Sequence, residues 1–243
     1  MRPIIGIPLR YQKLSDDRPI LYMAERLRRT IQLAGGFIYP ICPVQNVDYI
    51  NTRGNEFNPL TDEEKELINS SLNCCDGLLF PGGMKFTPYD RYLLEVAIEK
   101  KIPVLGICLG MQMMSCYNKD VVLEKNETSI DHNQETDDGF THKVKIFKDS
   151  KLYNILGKEE ILVNSFHKMH VTENDVYKIT AVSEDGLIEG IEYPGDFFNI
   201  GIQWHPEISY EVDEDSKKII DAFIEVAREN SKKNENNRES VLL

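Results

Sequence analysis

The chain has 243 residues, 41% hydrophobic and 28% charged, with 40 acidic against 28 basic side chains for a net charge of -12. A chain of that length can bury a core without disulfide or metal support, and its acidic surface repels nucleic acid and anionic membranes, so neither is expected as a partner. Five cysteines without a C-x-x-C pair, and the lack of any apolar run of bilayer length, point to a reduced, cytoplasmic protein.

Ile4 to Pro8 reads as a short buried strand. Residues 22–34 place Ala24, Leu27, Ile31 and Ala34 on one helical face, and Gly35-Gly36 stops the helix. Phe37 to Ile41 reads as a second strand, followed by a loop over residues 42–60. Thr61-Asp62-Glu63-Glu64 is a capping box that opens a helix ending near Asn69. Gly77 to Phe80 is a third strand, closed by Pro81-Gly82-Gly83. A helix from Tyr89 to Lys100 turns Leu93, Leu94, Ala97 and Ile98 inward, Ile102 to Ile107 forms a fourth strand, and another helix starts at Leu109. This alternation is that of parallel βαβ units.

The second half reads as shorter strands, some of them antiparallel. They are Val121 to Leu123, Lys143 to Phe147, Ile161 to Val163, Lys178 to Val182, Leu187 to Tyr193 and Asn199 to Trp204. A helix from Glu214 to Glu229 follows. One domain over residues 1–230 is expected, with residues 231–243 a polar tail lacking fixed structure.

Three segments carry chemistry. Gly106-Ile107-Cys108-Leu109-Gly110 lies between a strand and a helix, the setting of a sharp turn that lifts a nucleophile clear of a sheet. It sets Cys108 at a helix amino terminus, where the dipole favours a thiolate. Most free cysteines are simply buried, and the turn alone leaves both readings open. Gly201-Ile202-Gln203-Trp204-His205-Pro206-Glu207 ends a strand, and residues two apart in extended chain share a side, so Glu207 can orient His205. Nucleophile, base and orienting acid are then present in one chain. Phe80-Pro81-Gly82-Gly83 is first a turn signal, and also a source of the backbone N–H donors that acyl transfer needs.

The order of these three segments resembles that of the class I glutamine amidotransferases. Val163-Asn164-Ser165-Phe166-His167, Asp185-Gly186-Leu187-Ile188-Glu189, Trp204 and the opening Pro3-Ile4-Ile5-Gly6-Ile7-Pro8 bring the chain nearest to the γ-glutamyl-γ-aminobutyrate hydrolase-like, or peptidase C26, proteins. The resemblance implies an α/β, flavodoxin-like open sheet, mostly parallel, with helices on both faces and a smaller antiparallel addition in the second half. It implies Cys108, His205 and Glu207 as catalytic triad, Gly83 and Leu109 as oxyanion hole, and Gln112 as a contact for the glutamyl moiety. Ser165, Phe166, His167 and Lys168 are expected to bind substrate.

The activity so implied is hydrolysis of a γ-glutamyl amide in a small molecule through a thioester on Cys108. The alternative is a glutaminase subunit that supplies ammonia to a separate synthase partner. A non-catalytic binding protein has no need of an intact triad. No cofactor is implied, and self-association into a homo-oligomer is left open. No H-x-x-x-H or H-E-x-x-H spacing occurs, so no metal is expected, and His132, His142 and His170 read as loop or capping residues. Two segments depart from the branch's pattern. Lys168 and Met169 replace a usual His and Gln, and Tyr117 to Glu124 replaces a G-G-x-L-x-Q-D segment. Lys168 is read either as a partner for an acidic group of the substrate or as a solvated loop lysine.

Overall fold

The structure, a computed structural model, describes residues 1–52, 56–116, 123–134, 139–172 and 176–241. The first half runs β1 (Ile4–Pro8), β2 (Arg10–Lys13), β3 (Pro19–Tyr22), α1 (Glu25–Leu33), β4 (Phe37–Ile41), α2 (Asp62–Leu72), β5 (Gly77–Phe80), α3 (Pro88–Glu99), β6 (Val104–Ile107) and α4 (Leu109–Ser115). The second half runs β7 (Leu123–Lys125), β8 (His142–Ile146), α5 (Lys151–Leu156), β9 (Glu160–Val163), β10 (Met169–Val171), β11 (Lys178–Ser183), β12 (Ile188–Glu192) and β13 (Asn199–Ile202). Two helices close it, α6 (Pro206–Ser209) and α7 (Glu214–Val241).

Nine strands form one sheet in the order β4-β1-β5-β6-β13-β12-β11-β8-β9. The first five are parallel and follow the 2-1-3-4-5 order of flavodoxin-like doubly wound sheets. The remaining four continue antiparallel, which is the fold expected from the sequence. β4 lies at the sheet edge, where Pro40 costs no ladder bond.

Strand side chains alternate between two apolar layers. Leu79, Leu105, Ile107, Ile200 and Ile202 pack with Leu27 and Ile31 of α1 and with Ile219, Ile220 and Phe223 of α7. Leu78, Phe80 and Val104 point the other way, onto Ile68 and Leu72 of α2, Leu93 and Ala97 of α3, and Met111, Met113 and Met114 of α4. Each of the larger side chains stabilises the fold by about 1.5–3 kcal/mol through burial. The methionine cluster is thus core, as its adaptable shape suits.

Several elements differ from the sequence reading. The β2–β3 hairpin went unread because Arg10-Tyr11-Gln12-Lys13 carries no apolar alternation. Helix α5 is only one and a half turns long, although Ser150 caps its start and Gly157, at φ 70°, caps its end. Helix α7 runs on to Val241, past the Glu229 end read from sequence, because Lys, Glu and Arg favour a helix and neither Gly nor Pro stops it. Val121 and Val122 lie outside the described residues, as do most of Tyr117 to Glu124. No described helix is long and apolar enough to cross a membrane.

Candidate active site

Three neighbouring strands, β5, β6 and β13, deliver the three chemical segments to one edge of the sheet, at the carboxyl ends where doubly wound folds bind ligands. Cys108 follows β6 directly, and its N–H donates to the Ile202 carbonyl of β13 at 2.8 Å. Its backbone sits at φ 52°, ψ -107°, a region that L-residues avoid. The flanking glycines do not themselves adopt positive φ. They are required by close approach: a Cβ on Gly106 would stand 2.2 Å from Met114 Sδ, and one on Gly110 would stand 2.2 Å from the Phe80 carbonyl oxygen. The elbow is therefore held by helix-on-strand packing, and its strain falls on the cysteine.

His205 Nδ1–H donates to Glu207 Oε1 at 2.7 Å, with side chains 13% and 10% exposed. Asn164 fixes the backbone of His205 from both sides. Its Oδ1 accepts from the His205 N–H, and its Nδ2 donates to the His205 carbonyl, each at 2.8 Å. The Phe166 ring stands edge-on to the imidazole with centroids 5.6 Å apart. Burial disfavours the imidazolium, yet the Glu207 carboxylate and neighbouring Cys108 outweigh it and hold His205 well above the ordinary histidine range. A Cβ placed on Gly82 would fall 2.9 Å from His205 Cε1 and 3.7 Å from Cys108 Cβ, so that glycine leaves the space between thiol and imidazole open.

The loop after β5 is braced from below. Buried Arg10 donates to the Pro81 carbonyl at 3.0 Å and to Asp90 Oδ1 at 2.7 Å. Asp90 in turn accepts from the Thr87 N–H that opens α3, at 2.8 Å. Gly83 lies against Arg10 and Leu109, where a Cβ would come within 3.1 Å of each side chain. Leu109 begins α4, so helix geometry leaves its N–H without an intrahelical partner. Beside Leu109 opens a groove of about 700 Å³, lined in part by Met84, Lys85, Phe86, Arg91 and Tyr92. Lys85 lies over the Phe57 ring and Arg91 over the Phe86 ring.

The peptidase C26 family model matches residues 87–207, a span that includes Cys108, His205 and Glu207. A Schizosaccharomyces pombe protein provisionally named a glutamine amidotransferase is 35% identical over 72% of this chain and 63% of its own length. The chain is thus similar to peptidase C26 and glutamine amidotransferase proteins. Protein NtpR of Enterococcus hirae is 32% identical over 56% of this chain and 60% of its own. The matches to these two relatives thus span less than two thirds of either. Among solved structures, the Trypanosoma brucei CTPS glutaminase domain with bound acivicin superposes with a TM-score of 0.60 at 18% identity, covering 93% of this chain and 94% of that one. At such identity the likeness is one of fold.

Within this glutamine amidotransferase-like fold, the expected substrate contacts part company. Phe166 alone among residues 165–168 touches the His205 ring. Gln112 is buried and donates to the Met169 carbonyl at 2.9 Å and to Gln203 Oε1 at 3.1 Å. Lys168 is exposed, and its carbonyl accepts from the Asn126 N–H at 3.0 Å. Ser165 and His167, expected to bind substrate, are buried, with Ser165 Oγ 3.2 Å from His132 Nδ1 and His167 Nε2 3.4 Å from Glu189 Oε1. His132 and His142, read as loop or capping residues, are buried there too, with Glu189 of β12.

Sequence reasoning missed Arg10, Asp90 and the brace on His205 made by Asn164. It also missed the His132, His142, His167 and Glu189 grouping, since these residues come from four separate segments and share no helical or strand spacing. A better signal was available in composition: four of the five histidines fall within residues 132–170.

Proposed function

We propose that the chain hydrolyses γ-glutamyl amide bonds in a small molecule, with Cys108, His205 and Glu207 as its triad. His205 takes the thiol proton, and the Cys108 sulfur attacks the γ-carbonyl carbon. The N–H groups of Gly83 and Leu109 receive the developing oxyanion. The amine leaves with the proton from His205, and water then cleaves the γ-glutamyl thioester by the reverse proton path. The observation that carries this reading is a His205–Glu207 pair at 2.7 Å beside a cysteine held at φ 52°. The groove beside Leu109 supports a bulky amine portion, and Lys65, Lys85 and Arg91 against Glu95 on its wall favour an anionic one.

The test is turnover by purified chain of glutamine and a panel of γ-glutamyl amines, with mass spectrometry of protein quenched during the reaction. Saturable hydrolysis and a γ-glutamyl adduct on Cys108 are expected. An adduct elsewhere refutes the assignment.

A second reading, a glutaminase that feeds a separate synthase, is favoured by one group of relatives. CTP synthase of Thermotoga maritima is 29% identical over 63% of this chain but only 36% of its own length. Met84, 93% exposed directly after Gly83, marks where a partner would cover the site. Silence alone, with strong glutaminase activity on adding a co-purifying protein, would select this reading.

A further inference from the structure

We propose that His132, His142, His167 and Glu189 form a four-coordinate site for one divalent transition metal, with zinc fitting the donor set best. All four side chains are buried, and Glu189 is 0% exposed. One donor atom from each lies within 4.8 Å of the others.

The second nitrogen of each imidazole faces an acceptor that favours one tautomer, although at His167 the Asn126 amide nitrogen also lies 3.2 Å from Nδ1. His132 Nε2–H donates to Asp185 Oδ2 at 2.9 Å, His142 Nδ1–H to the Lys143 carbonyl at 3.2 Å, and His167 Nδ1–H to the Met169 carbonyl at 3.0 Å. The lone pairs left over are on His132 Nδ1, His142 Nε2 and His167 Nε2. They lie 3.7, 3.9 and 3.4 Å from Glu189 Oε1. Outer-shell carboxylate and carbonyl partners of this kind are what orient metal-bound histidines.

These separations decide between a metal and a hydrogen-bonded network. Hydrogen bonds from N–H to O fall at about 2.7–3.2 Å, and both Glu189 oxygens, with His142 Nε2 and His167 Nε2, are buried and make none. A carboxylate left so is costly. A tetrahedral ion with bonds of about 2.0–2.1 Å sets its ligands roughly 3.4 Å apart; the histidine nitrogens already stand near that distance from Glu189, and the imidazoles, up to 4.8 Å apart, turn inward around the ion. Ser165 Oγ, now 3.2 Å from His132 Nδ1, gives way to the ion. Three imidazoles and one carboxylate with no open position suit a structural zinc.

The ion would tie together the loop bearing His132, strand β8, the turn after β9 and strand β12. That turn also carries Asn164 and Phe166, the two residues that seat His205. The site is thus a staple behind the triad, loaded as the chain folds because no ligand is accessible afterwards.

The test needs no activity. Tag-free chain expressed in zinc-supplemented medium, desalted and assayed by elemental analysis, should carry about one zinc per chain. Glu189→Gln and His142→Gln should each lose most of it, and cobalt-substituted wild type should show the visible bands of tetrahedral Co²⁺. Wild type refolded with zinc should melt about 5–10 °C above protein refolded with chelator. Should the variants fail to fold, the wild-type metal content and cobalt spectrum still decide. Folded wild type with less than about a tenth of an equivalent of zinc, cobalt, iron or manganese would overturn the proposal, leaving a hydrated polar network. Full metal retention by folded Glu189→Gln would overturn it equally.

Discussion

Two histidine–carboxylate constellations lie back to back in this molecule, and they differ in almost everything but residue type. His205 and Glu207 are two residues apart in sequence, sit at a strand end and keep a tenth of their surface open. His132, His142, His167 and Glu189 come from four segments of the antiparallel half and are sealed from solvent. In the first, a 2.7 Å hydrogen bond leaves one imidazole nitrogen available to Cys108. In the second, the outer nitrogens are all committed and the inner ones converge. Access and tautomer, more than composition, separate a group that moves protons from one that holds structure.

The contrast can be broken most decisively at Cys108. Cys108→Ala should lower kcat/KM by on the order of 10⁴-fold or more, with no comparable loss of stability. Cys108→Gly should be just as inactive yet about 1 kcal/mol more stable than the Ala variant in urea, since only glycine occupies φ 52° without strain. Equal stability would mean that the elbow stores none.

The two carboxylates give the next largest separation. Glu189→Ala should lower stability by on the order of 3 kcal/mol, because it takes a ligand from the proposed ion, whereas Glu207→Gln should cost less, and least at alkaline pH, where His205 is neutral. On activity the order reverses. Glu207→Gln should fall far below wild type but keep roughly 10- to 100-fold more kcat/KM than His205→Ala, which removes the base itself. If Glu189→Ala unfolds no more easily than Glu207→Gln, the two sites are not distinct in role.

The pH dependence sharpens the same point. Glu207 and Cys108 hold the His205 imidazolium against its burial, so the alkaline limb of kcat/KM should lie well above the ordinary histidine value of 6.5. Without the Glu207 charge the imidazolium is less favoured, and the limb of Glu207→Gln should move to lower pH. The linked stability has the matching sign. It is present in full below about pH 6.5 and is lost as pH rises through the higher folded value. An alkaline limb that does not move would remove Glu207 from the role of orienting acid.

The smallest effect is expected at Lys168. It is exposed beside a strand pairing rather than at the thiol, so Lys168→Met should change kcat/KM by less than about threefold. A roughly tenfold loss confined to acidic substrates would instead put it on the leaving group.

By itself the sequence determined the parallel half and the order of the three segments that carry the proposed triad. Strands β1, β4 and β5 and the Thr61–Glu64 capping box were legible residue for residue, because β1 and β5 are short buried apolar runs, β4 is a short apolar run at the sheet edge, and caps are local hydrogen bonds. Cys108, His205 and Glu207 were legible for the same reason: a turn and a two-residue extended step are local geometry. Only the tertiary structure decided what lies between distant segments. It alone set Arg10 under Pro81, Asn164 around His205, Ser165 beside His132 and His167 beside Glu189. It also gathered four residues scattered over residues 132–189 onto a single point. Side-chain periodicity records which face of an element is buried, and carries no record of which other element that face will meet.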